Sequence, residues 1–319
     1  MVTSLIRGKQ FYSNRLLGKY WRVILDGTGV ACFEERHCDN CLYEKRTYKD
    51  GRKVTVYYHK VLEAKLILGD KIVVSLGTEF IENERSDVSK QDCETKAAKR
   101  LLERIKKEYP RLPICIQGDA MYATEPMMEI CRLNGWKYIF SHKGAQQRVL
   151  ADNYNLLSLE DGKQKVQGIG AEKGTAIYCN GIGKMAGKTE TMNVYEYTCK
   201  KIIKKQEKTV HFQWITDIEL TRRNLEEMVR AGRGRWKIEN EGFNNQKNGI
   251  YHIQHLNSRN SNAMKNHYLL TQIADILMQL YLAWNPIIKE IKQSIKNTSS
   301  RLLESFRRQP VTDEDVHYI

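Results

Sequence analysis

Two short apolar runs, each ending in an aspartate beside a glycine, constrain the fold of this chain most strongly. Asp26 closes the run VILD before Gly27, and Asp119 closes the run ICIQGD after Gly118. An apolar run that stops at a glycine-containing turn is typical of a buried strand that delivers a side chain to the edge of a sheet. We therefore expect Asp26 to end or edge one strand and Asp119 to end another.

The rest of the chain alternates between strand and helix patterns. β-rich runs separated by glycine-containing turns predict an antiparallel meander, and a helical repeat of buried residues follows it. Together these patterns indicate a mixed α/β protein. In chain order, the predicted elements are strands at 20–26, 54–67 and 71–81, a helix at 87–109, a strand to 119, a helix at 125–133, a strand from 136, a β-rich region at about 142–210, a strand at 211–218, and helices from 221 and at 261–284.

A third acid lies in a segment that reads mainly as helix. Glu239 belongs to the run GRGRWKIENEGFNNQK, among the basic residues Arg233, Arg235, Lys237 and Lys247. Two divalent ions about 3.5–4 Å apart, held by such acids, can activate water or a 3′-hydroxyl and stabilise the leaving oxygen of a phosphodiester. The three acidic segments therefore predict a two-metal nuclease site, and the basic residues would hold the polyanion.

The overall charge agrees with a polyanionic partner. The chain has 52 Lys and Arg residues against 38 Asp and Glu residues, a formal net charge of +14. Nucleic acid is the expected partner of such a surface. No apolar stretch reaches the roughly 18 residues that span a bilayer, and the N-terminus lacks the apolar region of a secretory signal. We therefore expect a cytoplasmic protein with no membrane contact.

The eight cysteines do not form a disulfide framework. Their irregular spacing favours free thiols in a reducing compartment. Cys38 and Cys41 form a CxxC motif next to His37, and His59 follows. A zinc knuckle needs four ligands and there is no second CxxC to complete the usual pattern. The sequence therefore favours a polar loop with reduced cysteines over structural zinc.

The segments VILDGTG, QGDAMYA and RWKIENEGFNNQK resemble the three catalytic segments of DDE transposases of the insertion-sequence 4 type. The resemblance covers about residues 20–285. It implies a ribonuclease-H-like mixed sheet flanked by helices, with a β-rich insertion at about 142–210 between the second Asp and the Glu. Residues 1–19 would then be a short N-terminal segment, and 286–319 a charged, loosely ordered tail.

The signature of that family is Tyr, two residues, Arg, three residues, Glu, six residues and Lys. Arg235 and Glu239 match it, but Gly232 stands at the Tyr position. The basic residue comes one position late, at Lys247, with Gln246 in the expected place. An extra residue in the helix near Gly242 would bring Lys247 back into line.

The resemblance also implies roles for these residues. Asp26, Asp119 and Glu239 would be the catalytic residues and would hold Mg²⁺, with Mn²⁺ as a substitute. Arg235 and Lys247 would contact phosphates of double-stranded DNA. The family pairs two element ends, which implies a homodimer that associates with the nucleoid when it is bound to DNA.

Three neighbours of these residues are further candidates for DNA binding. Arg233 and Lys237 would add positive charge to the same segment. For Trp236, core packing is favoured over stacking on an extruded base.

Other interpretations remain open at the level of sequence. Asp26 alone suits an ordinary turn, Asp119 alone suits a helix cap, and Glu239 alone suits a solvated helix. A ribonuclease-H-like nuclease without strand transfer would carry the same acids. The family usually has a longer DNA-binding region before its first Asp, whereas 25 residues precede Asp26 here, so a truncated, non-catalytic DNA-binding remnant is a third interpretation.

Overall fold

A ten-stranded mixed sheet forms the centre of the protein. The computed structural model describes residues 1–36, 38–144, 148–183, 191–203, 206–255, 257–286 and 294–309. The strands are β1 (Trp21–Phe33), β2 (Leu42–Thr47), β3 (Lys53–Ile67), β4 (Val73–Ile81), β5 (Ile114–Gly118), β6 (Lys137–Ser141), β7 (Gln164–Ile169), β8 (Gly174–Gly183), β9 (Thr191–Ile203) and β10 (Gln206–Thr216). Their order is β2-β3-β1-β5-β6-β10-β9-β8-β7, and β4 pairs with the free edge of β3.

Helices cover both faces of this sheet. They are α1 (Val2–Arg7), α2 (Glu94–Glu108), α3 (Glu125–Leu133), α4 (Arg148–Leu156), α5 (Leu225–Arg233), α6 (Asn245–Asn248), α7 (Ser261–Trp284) and α8 (Ile295–Arg308). Apolar residues of α2 and α3 share one buried cluster with β1 and β5. Apolar residues of α5 form a second cluster on the other face, with Cys115 and Trp214. The predicted α/β class with a ribonuclease-H-like sheet is confirmed.

The meander matches the prediction, except that β1 is longer. The sequence predicts that Asp26 ends or edges a strand, and this is wrong, because β1 continues past it to Phe33. Gly27 pairs with Leu62 on antiparallel β3, so the glycines stay inside the ladder. A register shift after Gly29 takes up the irregularity instead. The parallel neighbour β5 ends close to the level of Asp26, so a sheet edge is present there on one side only.

The β-rich region extends the central sheet. β7 to β10 form an antiparallel ribbon, and β10 joins the centre through its pairing with β6, where Trp214 lies opposite Ser141. Continuous pairing along β9 and β10 explains why the predicted strand at 211–218 is only the second part of a longer one. The unpredicted helix α4 precedes the ribbon.

Two helix predictions need correction at their ends. The sequence predicts a helix from 87, but α2 begins at Glu94, with Cys93 as its N-cap and no side-chain cap hydrogen bond. Ala97 and Leu101 on its inner face are buried. The tail was predicted to be loosely ordered, yet residues 294–309 contain α8, capped by Ser294. Residues 287–293 and 310–319 lie outside the described residues.

The long apolar helix is confirmed with its predicted bounds. α7 spans Ser261–Trp284, and the Asn260 side chain accepts a hydrogen bond from the amide of Ala263 at its start. Gln279 fastens it to the edge strand β4 by two hydrogen bonds with the backbone of Val73. No helix within the described ranges is both long and apolar enough to cross a membrane.

Candidate active site

The parallel pairing of β1 with β5 brings two of the predicted acids together. Ile24 lies opposite Gln117 in this register, so Asp26 and Asp119 are each two residues further along adjacent strands. Asp119 directly follows β5, and its Oδ1 accepts a hydrogen bond of 2.9 Å from the amide of Met121. This bond caps a short 3₁₀ helix and fixes the orientation of the carboxylate.

The third acid comes from a helical segment of changing geometry. α5 ends at Arg233, a 3₁₀ turn covers Gly234–Trp236, and a π-helical stretch covers Ile238–Asn244 before α6. The segment therefore stays helical through Gly232 and Gly234 but changes its helix type at Gly234. We call the stretch 234–248 the signature helix. The preceding helix, α5, begins at Leu225 and not directly after Thr221, as the sequence predicts.

The signature helix is anchored to β1 on the face that carries Asp26. Ile238 and Phe243 form a small buried cluster with Ile24 and Ile67. Ile24 and Asp26 point to the same face because side chains alternate along a strand. The residue after Ile238 is Glu239, so this apolar contact holds the third acid near Asp26.

Arg235 lies between two of the acids. Its Nη1 is 3.4 Å from Glu239 Oε1 and 3.9 Å from Asp26 Oδ2. The Arg235 side chain is only 12% exposed, while that of Glu239 is 40% exposed. Arg235 therefore lines the site beneath a carboxylate that solvent can reach.

The electrostatic environment of Asp26 is that of a crowded acid. Burial, with smaller contributions from Glu239 and Glu94, raises the pKa of Asp26 to about 6, although Arg235 and the Gly27 amide act in the opposite direction. Repulsion among carboxylates together with burial disfavours the ionised form unless a cation is present. The same neighbourhood includes Lys247, whose pKa is lowered by burial, while Asp26 and Glu239 act in the opposite direction.

This donor set fits a hard divalent cation. Carboxylate oxygens are the ligands that Mg²⁺ prefers, and a cation would relieve the repulsion that raises the Asp26 pKa. Asp26, Asp119 and Glu239 are not a tight group without one: within the described part of the chain, only Cys38, Cys41 and His59 have ligand atoms all within 4.8 Å of one another. Arg235 is the cation now nearest to Asp26 and Glu239.

The π-helical stretch explains the displaced basic residue. A π-helical turn takes one residue more than an α-helical turn, and this stretch includes Gly242, where the sequence requires an extra residue. Lys247 consequently faces Asp26 and Glu239. Gln246 instead is fully buried, and its Nε2 donates to Asp275 Oδ2 at 2.7 Å.

The absent signature Tyr also has a structural cause. Gly232 packs against the ring of Trp214, and a Cβ at position 232 would lie 2.6 Å from the nearest ring atom. The Trp214 ring is buried and stacks on Tyr195 and Phe212. Any side chain at 232 would therefore require this aromatic group to move.

Glu94 is an acid near the site that sequence reasoning missed. It begins α2, and a Cβ on Gly27 would lie 2.5 Å from its Cδ, so the absent side chain at Gly27 makes room for it. Tyr122 donates a hydrogen bond of 3.0 Å to Glu94 Oε2, and Lys60 forms an ion pair with it. No local motif marks Glu94, because its neighbours come from three other parts of the chain.

Two residues predicted to bind DNA are held by acids. Arg233 forms a two-pronged ion pair with Glu172, with distances of 2.9 and 2.7 Å. Lys237 contacts the backbone and, at 3.5 Å, the carboxylate of Asp70. These bonds tie the segment to the β-ribbon and to the β3–β4 turn.

Trp236 is exposed, so the preference for core packing was wrong. Its side chain is 49% exposed, and the Arg235 guanidinium lies 4.7 Å from its ring centroid. Two other acids take no part in this site: Asp217 binds Lys137 and the Tyr138 amide, and Asp152 is exposed on α4.

Comparison with protein families gives one match. The family described as transposase DDE domain matches residues 17–276 of the chain, a range that contains Asp26, Asp119 and Glu239. No curated protein matches the chain.

Proposed function

The chain belongs to the transposase DDE domain family, and from this premise we propose a DNA transposase of the insertion-sequence 4 type that cuts element ends and joins them to target DNA. The observation that carries the proposal is Arg235 lying between Asp26 and Glu239, with Asp119 at the end of the strand that pairs with the strand of Asp26. The catalytic domain would cover 20–285, and the protein would act in the cytoplasm on the nucleoid.

Asp26, Asp119 and Glu239 would hold divalent metal, with Mg²⁺ as the natural ion and Mn²⁺ as a substitute. The metal would supply charge neutralisation at the phosphodiester and lower the pKa of the attacking water or 3′-hydroxyl. Support comes from the donor set, which is all carboxylate, and from the raised pKa of Asp26.

The chain's own residues would orient the DNA. Arg235 offers a planar guanidinium that can hold a phosphate by two hydrogen bonds. Lys247 would add a second positive charge on the same side, where Asp26 and Glu239 already act on it. Trp236 is exposed beside Arg235 and would stack on a base displaced near the cut. Phosphate contact and base stacking would thus come from one segment.

The wider molecule suits double-stranded DNA as substrate. Its formal net charge of +14 favours a polyanion. Two element ends have to be processed together, so we propose that two copies of the chain act as a homodimer on paired ends. Arg233 and Lys237 would take part only through the ion pairs that hold the segment in place.

A nuclease without strand transfer is the second candidate, and one observation favours it. At the position of the signature Tyr, Gly232 lies against the Trp214 ring, which leaves no room for a side chain. In the insertion-sequence 4 type this segment handles the terminal nucleotides during hairpin formation. The absence of the Tyr should therefore affect hairpin formation more than DNA cleavage. A non-catalytic remnant is the third candidate.

Cleavage and joining of DNA that carries the native element ends would test the proposal. The wild-type chain is compared with Asp119→Asn, which keeps an oxygen for the Met121 amide but loses the charge. Asp152→Asn is the matched control, since Asp152 is exposed on α4. Joined products with Mg²⁺ or Mn²⁺ that disappear only in Asp119→Asn support a transposase. Cleavage without joining supports the nuclease, and binding without cleavage supports the remnant.

A further inference from the structure

Three potential soft-metal ligands meet where the β1–β2 connection touches β3. Cys38 Sγ and Cys41 Sγ are 3.5 Å apart, and each is 3.5 Å from His59 Nε2. The three atoms thus form a nearly equilateral triangle. Cys41 is fully buried and His59 is 3% exposed, so two of the three ligands are withdrawn from solvent.

The backbone around the two cysteines holds this triangle in place. The amide of Cys41 donates to the carbonyl of Cys38 at 3.4 Å, which folds the CxxC segment into a tight turn. The amides of Asn40 and Cys41 also donate towards the Cys38 sulfur. Such amide-to-sulfur bonds stabilise a thiolate, since they place positive dipoles at the negative atom.

Asn83, at the end of β4, fastens the turn from outside. Its Nδ2 donates to the carbonyl of Cys41 at 2.9 Å, and Asn40 Nδ2 donates to the carbonyl of Asn83 at 2.9 Å. Asn83 is 1% exposed, so these bonds are buried. The cysteine turn is therefore positioned by a second loop as well as by its own backbone.

We propose that Cys38, Cys41 and His59 bind a structural zinc ion. In a tetrahedral zinc site with Zn–S of about 2.3 Å and Zn–N of about 2.0–2.1 Å, neighbouring ligand atoms are roughly 3.5–3.8 Å apart. The observed separations of 3.5 Å match that spacing. Water or another donor takes the fourth position. Metal binding releases the two thiol protons and forms two thiolate bonds to zinc.

The geometry argues against a disulfide between the same cysteines. A disulfide needs sulfur atoms about 2.0 Å apart, whereas these are 3.5 Å apart with an imidazole nitrogen against both.

The zinc would secure the strand that carries Asp26. Ala31 of β1 lies opposite His59 of β3, and the His59 ring packs edge-on against Phe33 at a centroid distance of 6.3 Å. A metal bond from His59 to the β1–β2 connection would cross-link the middle of β3 to the segment that follows β1. The site is thus structural, and it does not depend on the transposase proposal.

Zinc content and cobalt spectroscopy of the full chain would test this inference. Purified protein in the Asp119→Asn background, which weakens the carboxylate site, is analysed for zinc by mass spectrometry. We expect about one zinc per chain, and less than a tenth of that in Cys41→Ser. Cys93→Ser is the matched control and keeps the zinc, because Cys93 is exposed and outside the triangle.

Cobalt(II) exchanged for zinc reports the ligands directly. A thiolate-to-cobalt charge-transfer band in the near ultraviolet is expected for the wild type and for Cys93→Ser, and its intensity falls in Cys38→Ser. This readout on the wild type does not require any variant to fold. The inference is overturned if the reduced wild-type chain shows neither zinc nor this band, or if intact mass shows the two hydrogens lost to a disulfide.

Discussion

The Nη1 of Arg235 lies 3.9 Å from Oδ2 of Asp26, in a site where the Arg235 side chain is 12% exposed and that of Asp26 is 20% exposed. The two residues are far apart in the sequence and meet because Ile238 packs on Ile24. A guanidinium so placed can serve two purposes. It lowers the pKa of Asp26 in the free protein, and it can turn to a phosphate once a metal replaces it beside the acid.

Replacement of the Arg235 guanidinium should change both the rate of DNA cleavage and the pKa of Asp26. Arg235→Gln is expected to reduce the rate of DNA cleavage by about 10²-fold, since it removes a charged donor from the reacting phosphate. It should also raise the pKa of Asp26, because Arg235 lowers it. Rates at saturating DNA measure the first effect. Arg222→Gln removes an exposed charge before α5 and should leave the rate unchanged; an equal loss there would contradict a specific role.

Neutralising Asp26 should stabilise the metal-free protein while removing activity. Its pKa is raised from 3.8 to about 6 on folding, so the folded state keeps a proton that the unfolded chain releases in that interval. Asp26 therefore lowers the free energy of unfolding progressively as pH rises from about 4 to about 6, and this loss of stability persists above pH 6. Asp26→Asn should raise the free energy of unfolding at pH 7.5 by about 1–3 kcal/mol.

Denaturant unfolding with chelator at pH 4 and at pH 7.5 would measure this. Most of the gain should be lost at pH 4, where Asp26 is protonated in the folded state and the pH is close to its unfolded pKa of 3.8. A variant that is equally stable or less stable at pH 7.5 would contradict the burial of an ionised carboxylate.

Gln246 and Lys247 are neighbours with opposite expected phenotypes. Gln246 is buried and bonded to Gln272 and Asp275, so Gln246→Ala should lower the free energy of unfolding by about 1–3 kcal/mol. Lys247→Ala should leave stability nearly unchanged but weaken DNA binding and reduce its salt slope by about 1. Thermal melts and binding isotherms at several salt concentrations separate the two. The reverse pattern would mean that the π-helical stretch does not shift the register.

A side chain at the signature Tyr position should destabilise the fold. Gly232→Ala would place a Cβ 2.6 Å from the Trp214 ring, and we expect a loss of about 1–3 kcal/mol. Gly234→Ala is the matched control, because the nearest atom to its Cβ would be Arg22 Nη1 at 3.4 Å. That change should be neutral or stabilising by up to about 1 kcal/mol. Equal melting temperatures for the two variants would refute the packing explanation.

Glu94 should influence the reaction through Asp26. Glu94→Gln keeps an oxygen that can accept from Tyr122 and removes a charge that raises the Asp26 pKa. The acid limb of the cleavage rate against pH is therefore expected to move to lower pH. Glu103→Gln, an exposed acid on α2, is the comparison and should not move the limb. If the acid limb of the pH–rate profile is unchanged in Glu94→Gln, Glu94 only positions Tyr122 and Lys60.

Much of the fold could be predicted because periodicity and turn residues are local properties. α3 and α7 have the predicted bounds. The errors occur where long-range pairing overrides a local signal. Gly27 was expected to interrupt β1, yet Leu62 opposite it keeps the strand intact.

The sequence likewise predicts only part of the candidate site. The residue types and their order pointed to Asp26, Asp119 and Glu239, and the family match contains all three. Core packing was favoured for Trp236 because large aromatic residues are usually buried, but it is the last residue of the 3₁₀ turn and is 49% exposed. Its exposure depends on where the 3₁₀ turn ends.

The sequence by itself determined the α/β class, the three acidic segments and the one-residue offset of Lys247, because composition, periodicity and spacing are written along the chain. Only the tertiary structure decided that Arg235 lies between two acids, that Glu94 fills the space above Gly27, and that Cys38, Cys41 and His59 form a triangle. These are contacts between segments distant in sequence. They depend on strand register and helix packing, which no local pattern encodes.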